Sequence, residues 1–286
     1  MQDDKKKYRF VLIEAFQMPV TSPFRHRAPG GPKEEWLKNY DQIHHLLADI
    51  EWDWHPGALT TYGDWQVENQ EEFCHSAAAR LGVVREACES GKYNGIVLLG
   101  GGEPGFQASR EIARRYGIPV TSCAFSQMHV ASMIGNKFSI IDLAENHSSY
   151  YASLVVQHRF TERVASIRNL QMPHPRPGQP DLHLSKQKEK VLAGGTSEML
   201  EAAVTEAIAS IEEDGAEVIT FGCSGLFWMQ PFLEKRLSEI GWEIPVLEGY
   251  RCAIELAKLM VNLGLTASGL AYPGDRPRKW RRKKVF

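Results

Sequence analysis

One cysteine in this chain sits where a thiol can move a proton. Cys223 stands in Gly222-Cys223-Ser224-Gly225, directly after the apolar run Val218-Ile219-Thr220-Phe221 and ahead of a helical pattern. A thiol held between glycines near a helix N-terminus has the setting that draws its pKa from about 8.5 toward neutrality. Such a group can take or give a proton at carbon. A second corner, Gly100-Gly101-Gly102-Glu103-Pro104-Gly105, follows the apolar run over 95–99. It lacks the G-x-G-x-x-G spacing and the Lys-Ser/Thr of a phosphate loop, so nucleotide binding has little support. Its bare N–H groups at a helix start suit a carboxylate or an enolate oxygen. A tight turn that merely needs glycine explains the same residues equally well.

The other cysteines carry less chemistry. Cys74, Cys88 and Cys252 lie within helical patterns, where a free thiol behaves as a small core hydrophobe, and Cys123 just past a strand reads the same way. Five cysteines cannot all pair within the chain, and none falls in a C-x-x-C. Ten histidines are scattered without an H-E-x-x-H pair, so no metal is expected.

The elements that must position these corners alternate along the chain. Strands are predicted over 8–13, 95–99, 119–122, 137–141, 164–169, 218–221 and 245–247, several of them apolar throughout, as strands buried on both faces are. Helices are predicted over 70–90, 105–116, 127–134, 196–214, 231–240 and 250–263. In the helix over 196–214, Leu200, Val204, Ile208 and Ile211 recur on one face, and Gly215 ends it. This alternation defines an α/β protein with parallel sheets covered by helices. Ligands of such sheets are sought at the carboxyl ends of strands, where both glycine corners fall. Residues 18–65 form a long insert rich in Pro, Trp and Tyr, with a helix over 36–48, and 172–195 form a second, Pro-rich insert. Inserts of this size are lids, specificity segments or subunit contacts.

Composition bounds the class. With 286 residues, 43% hydrophobic and 24% charged, the chain is an ordinary globular one, and disordered, collagenous and disulfide-scaffold classes are excluded. No apolar stretch approaches the roughly 20 residues of a membrane span, and the N-terminus has no signal-peptide core, so a cytoplasmic address is expected. The net charge of −2 conceals a basic tail with seven Lys and Arg from Arg276 onward. A short terminal charge run is read as a solvated tail or a clasp on a neighbouring subunit, and nucleic acid is not expected as a partner.

Read in order, Gly102-Glu103-Pro104-Gly105-Phe106, Ile118-Pro119-Val120, Met128-His129, Gly135-Asn136-Lys137-Phe138-Ser139, Gly222-Cys223-Ser224-Gly225 and Pro245-Val246-Leu247-Glu248-Gly249 form a series. It resembles the hydantoin racemase branch of the aspartate/glutamate racemase superfamily over roughly residues 70–273, with gaps at the Pro-rich insert. The resemblance implies two similar lobes, each a small parallel sheet flanked by helices, with the active site in the cleft between them. The chain then divides into an N-terminal lobe (1–125), a second lobe (126–249), a C-terminal helix returning to the first lobe (250–274) and the tail (275–286). It also implies a homo-oligomer that needs neither metal nor pyridoxal phosphate. The mechanism implied is proton transfer between two cysteines on opposite faces of a substrate carbon, with backbone N–H groups holding the developing negative charge.

This sequence keeps one cysteine of that pair. The first aligns with Gly100, and Cys223 remains. The asparagine that usually follows the first strand is also replaced, since Val11-Leu12-Ile13 leads to Glu14. Inversion at carbon needs a proton donor on the face opposite removal, so a symmetrical two-thiol racemase is excluded. Glu14, His147 and Glu103 are the candidates for the vacant face, Glu103 being the weakest because it equally serves to cap a helix. Alternatively the bond broken there involves no proton: arylmalonate decarboxylase, another relative, has glycine at the first site and one cysteine at the second.

The reading is therefore a cofactor-independent racemase-like enzyme acting at a carbon next to a carbonyl. Cys223 is the acid/base; Gly100, Gly101, Gly102, Asp142, Ser224 and Gly225 bind a small carboxylate or cyclic amide. A single-thiol decarboxylase or lyase and a non-catalytic small-acid sensor are the alternatives. The acidic segment from Asp142 to His147 differs from the Thr-rich hydantoin racemase version and sets the hydantoin substrate in question. Trp52, Trp54, Tyr62, Trp65, Phe227, Trp228 and Met229 would give the pocket an apolar wall if they line it; packing accounts for them about as well.

Overall fold

A computed structural model describes residues 7–25, 31–178, 184–274, 279 and 281–284. The chain runs β1 (Tyr8–Ile13), α1 (Lys33–Trp36), α2 (Tyr40–Leu47), β2 (Ile50–His55), α3 (Gln70–Glu89), β3 (Gly95–Leu98), α4 (Phe106–Arg114), β4 (Val120–Ser122) and α5 (Cys123–Ile134). It continues with β5 (Phe138–Asp142), α6 (Glu145–Gln157), β6 (Val164–Asn169), α7 (Leu184–Leu192), α8 (Glu198–Glu212), β7 (Val218–Phe221), α9 (Gln230–Ile240) and α10 (Gly249–Asn262).

Two parallel sheets result, one in the order β2-β1-β3-β4 and one in the order β6-β5-β7. All residues of β3, β5 and β7 are buried, which is why these segments read as unbroken apolar runs. The α/β architecture with two helix-flanked parallel sheets is as the sequence predicts. Phe10, Leu12 and Val97 of the first sheet share one buried cluster with Ile141, Ile219 and Phe221 of the second, together with Tyr250, Ala253 and Ile254 of α10. The two sheets are thus joined by continuous apolar packing rather than by a solvated hinge.

Four local expectations change. The first insert contains β2, an edge strand Ile-Glu-Trp-Asp-Trp-His that pairs along the whole of β1; its alternating acids hide it in sequence. Residues 145–157 form α6, whose polar sequence has no helical apolar period. The segment over 245–247 makes only a single bridge, Ile219 to Val246. Helix α5 begins at Cys123, four residues before the predicted start. Residues 1–6, 275–278, 280 and 285–286, hence part of the basic tail, and the inserts' 26–30 and 179–183 lie outside the described residues. Among the described residues no helix is long and apolar enough to cross a membrane.

Candidate active site

The carboxyl ends of β1 and β3 in the first sheet face those of β5 and β7 in the second, and the two glycine corners meet there main chain to main chain. A Cβ built on Gly101 would lie 1.8 Å from the Gly222 carbonyl oxygen, so this contact excludes any side chain at 101. Gly102 packs its bare Cα against the ring of Phe73, where a Cβ would come within 2.3 Å. Gly100 has φ of 99°, a left-handed backbone that side-chain-bearing residues rarely adopt, and its added Cβ would reach 2.9 Å from that of Ala15. All three glycines are demanded by geometry.

The first corner is held from below by Arg80 on α3. Its guanidinium is fully buried and donates to the carbonyls of Ile13, Leu99 and Pro104, the last at 3.3 Å. One cation therefore ties the ends of β1 and β3 to the glycine loop. Burial lowers its pKa to about 10, still leaving it charged at neutral pH. Glu103 turns away from the rim: its carboxylate accepts from the Phe125 N–H at 2.8 Å and from Ser122, and contacts His158. It caps the start of α5 and is not a cavity residue.

A cavity of about 300 Å³ opens between the rims. Glu14, Gly100, Gly101, Gly102, His147, Cys223, Ser224 and Gly225 all line it, so eight of the ten candidate residues converge. Besides Glu103 the exception is Asp142, which is fully buried behind the wall. Its carboxylate accepts from the Leu143 N–H at 2.8 Å and holds Nδ1 of His147 at 2.8 Å. Asp142 therefore meets the cavity only through His147. Burial pushes the His147 pKa down, but the adjacent Asp142 carboxylate outweighs it and the net direction is upward.

Cys223 departs from expectation. Its thiol is pushed up to about 12, first by burial and then by Asp142, against a small opposing effect from the Gly225 N–H, which donates to Sγ at 3.4 Å. The anticipated lowering needs a helix N-terminus, yet α9 begins only at Gln230, beyond a 3₁₀ turn at Phe227–Met229. The resting group is a protonated thiol. Cys88, Cys123 and Cys252 are buried as core residues, whereas Cys74 is exposed on α3.

The Pro-rich insert supplies a residue that sequence reasoning missed. His174 lines the cavity and places Nε2 3.7 Å from Sγ of Cys223. Two residues on, Arg176 donates from Nε to Glu68 at 3.0 Å, and from both terminal nitrogens to the two oxygens of Glu72. Glu72 is also the partner of Asn69 in the capping box of α3 and accepts from the Trp65 indole. The segment thus crosses from the second sheet to the first lobe and presses His174 onto the thiol. The His-Pro-Arg-Pro spacing was the available signal. Of the aromatic candidates, Trp54 alone lines the cavity, joined by Trp36, with ring centres 5.4 Å apart. Trp52, Phe227, Trp228 and Met229 belong to the core.

Comparison with known proteins agrees with this architecture. Residues 67–257 match the family described as Asp/Glu/Hydantoin racemase, and the chain belongs to that family. It is 29% identical over 192 residues to a hydantoin racemase of Pseudomonas sp. (strain NS671), covering 66% of this chain and 68% of that one. An allantoin racemase from Klebsiella pneumoniae superposes with a TM-score of 0.68 at 21% identity, over 95% of each chain. A liganded double variant of arylmalonate decarboxylase superposes with a TM-score of 0.55 at 12% identity, over 92% of this chain and 96% of that one. These likenesses establish the shared fold, and the racemase kinship read from the ordered motifs stands.

Proposed function

We propose that the protein is an isomerase of the racemase type that moves a proton at a carbon next to a carbonyl, with Cys223 and Glu14 as the two exchanging groups and no cofactor. The observation that carries this reading is that both residues line one cavity from the rims of opposite sheets, with bare main chain at 100–102 beside them. In one direction Glu14 takes the α-proton and the C–H electron pair moves onto the carbonyl oxygen. The N–H groups along the glycine corner at 100–102 and that of Ser224 are suited to stabilise that oxyanion. Cys223, protonated at rest, gives its S–H proton to the opposite face and becomes a thiolate; the site resets when Glu14 releases the proton it took to solvent and the thiolate takes one back through His174. The reverse direction starts from the thiolate, a strong base because its conjugate pKa is high. His147, locked by Asp142, lines the same cavity.

Deuterium exchange tests the assignment. Enantiopure 5-benzylhydantoin and 2-phenylpropionate are incubated in deuterated water, and the α-hydrogen and optical rotation are followed together. Exchange with loss of rotation, abolished by Cys223→Ser and by Glu14→Gln, is expected. Loss of rotation that survives Glu14→Gln excludes Glu14 as the second group. A second reading is favoured by the left-handed backbone at Gly100, which makes that position a poor host for an acidic side chain of its own. There the site would cleave carbon dioxide from an arylmalonate and Cys223 would protonate the enolate, giving deuterium only in a product one carboxyl lighter.

A further inference from the structure

The long first-lobe insert brings two cations into the cavity, and among the described residues neither is matched by a carboxylate. Lys38 and Arg25 both line it, next to Trp36 and Trp54. Nη1 of Arg25 is buried and has no hydrogen-bond partner, while its guanidinium lies 5.7 Å from the Trp36 ring centre. Among the described residues Lys38 forms no ion pair, and its charge is felt at the Cys223 sulfur. Glu14 is the one acidic side chain on the cavity wall among the described residues, and it pairs with neither cation. A buried guanidinium nitrogen without an acceptor is costly unless a ligand completes it. A neutral ligand leaves that cost standing; an anion removes it.

We infer that Lys38 and Arg25 form an anion-binding subsite of this cavity, so that its ligand is an organic acid whose carboxylate lies between the two cations and whose apolar part lies against Trp36 and Trp54. This rests on reading the cavity as the reaction site, and it narrows the ligand from carbonyl compounds at large to carboxylates. A neutral cyclic amide fits the subsite poorly. The placement is also economical in mechanism, because a carboxylate held there stands within the field that acts on Cys223. It is supplied by a segment outside the two glycine corners, so it sets which ligand enters rather than how the proton moves.

The test needs no known substrate, because the thiol itself reports the field. Iodoacetate, an anion, and iodoacetamide, its neutral counterpart, are reacted in turn with the full-length protein at fixed pH. Labelling of Cys223 and of the exposed Cys74 is followed by peptide mass spectrometry. The acetate-to-amide rate ratio at Cys223, divided by that at Cys74, is expected to exceed one by about tenfold and to fall with added salt. The double substitution Lys38→Gln with Arg25→Gln should bring it close to one while Cys74 labelling stays unchanged, which also reports an intact fold. A ratio near one in the unaltered protein, or one indifferent to both salt and the substitution, overturns the subsite. A Cys223 that neither reagent labels overturns the cavity reading and the subsite with it. If the preference holds but the deuterium exchange fails, the subsite stands and the proposed reaction falls.

Discussion

Arg176 grips Glu72 through both carboxylate oxygens, at 2.8 and 2.7 Å, and so fastens the Pro-rich insert to the first turn of α3. Both partners are largely buried, and Glu68 shares the guanidinium. Removing the cation strands two acids. Arg176→Met is expected to lower unfolding stability by about 3 kcal/mol in urea titrations and to speed Cys223 labelling as the segment lifts. Unchanged labelling would show that His174 is held by something else.

The same ion pair predicts a pH dependence. Burial pushes the Glu72 carboxyl up, but Arg176, the Trp65 indole and the N–H groups of Glu68 and Asn69 together hold it below its ordinary 4.5. A depressed folded pKa gives stability that is complete above the unfolded value and disappears as pH falls through the folded one. The urea midpoint should therefore drop below pH 4.5 in the native chain, and less steeply in Arg176→Met. Parallel slopes would rule out Glu72 as the source.

Two glycines make a matched pair. Gly82 lies within α3 with nothing within 4 Å of an added Cβ, so Gly82→Ala should raise stability by about 0.5 to 1 kcal/mol. Gly101→Ala must displace the Gly222 carbonyl and should cost about 3 kcal/mol or more. Thermal melts of the two variants should move in opposite directions.

For Cys223 the raised pKa sets the sign of its titration. Iodoacetamide labelling should keep accelerating up to about pH 12. Asp142→Asn removes a nearby negative charge and should shift the profile to lower pH. A plateau near pH 8 would contradict the burial argument.

His174 is a positioning and proton-relay residue in the proposed reaction. His174→Gln keeps the size of the side chain but not its proton chemistry. Turnover should fall by about tenfold to a hundredfold with KM altered by less than about twofold. An unchanged turnover would reduce His174 to packing.

Much of this was legible in the residues themselves. Apolar runs such as 95–99 and 218–221 fixed the buried strands, because strands covered on both faces admit little else. The glycine corners and Cys223 announced the rim because bare backbone and a lone thiol are unusual side by side. What stayed hidden depends on tertiary placement. Edge strand β2 carries Glu51 and Asp53 on its exposed side, and α6 owes its helix to packing against β5 and β6 rather than to periodicity. The elevated Cys223 pKa could not be read, because a motif shows neighbours along the chain and not the depth at which they lie. His174 reaches the sulfur from 49 residues away, through a segment whose prolines suggest only a loop.

The contact of Gly101 with the Gly222 carbonyl bears on how this site can vary. Where two sheets abut through naked peptide, the gap between the reacting walls is gauged by backbone thickness alone. Replacement of hydrophobic residues elsewhere can then proceed without widening the jaws. In the proposed reaction, selectivity can then change with the insert while the spacing between the two walls stays set by the scaffold.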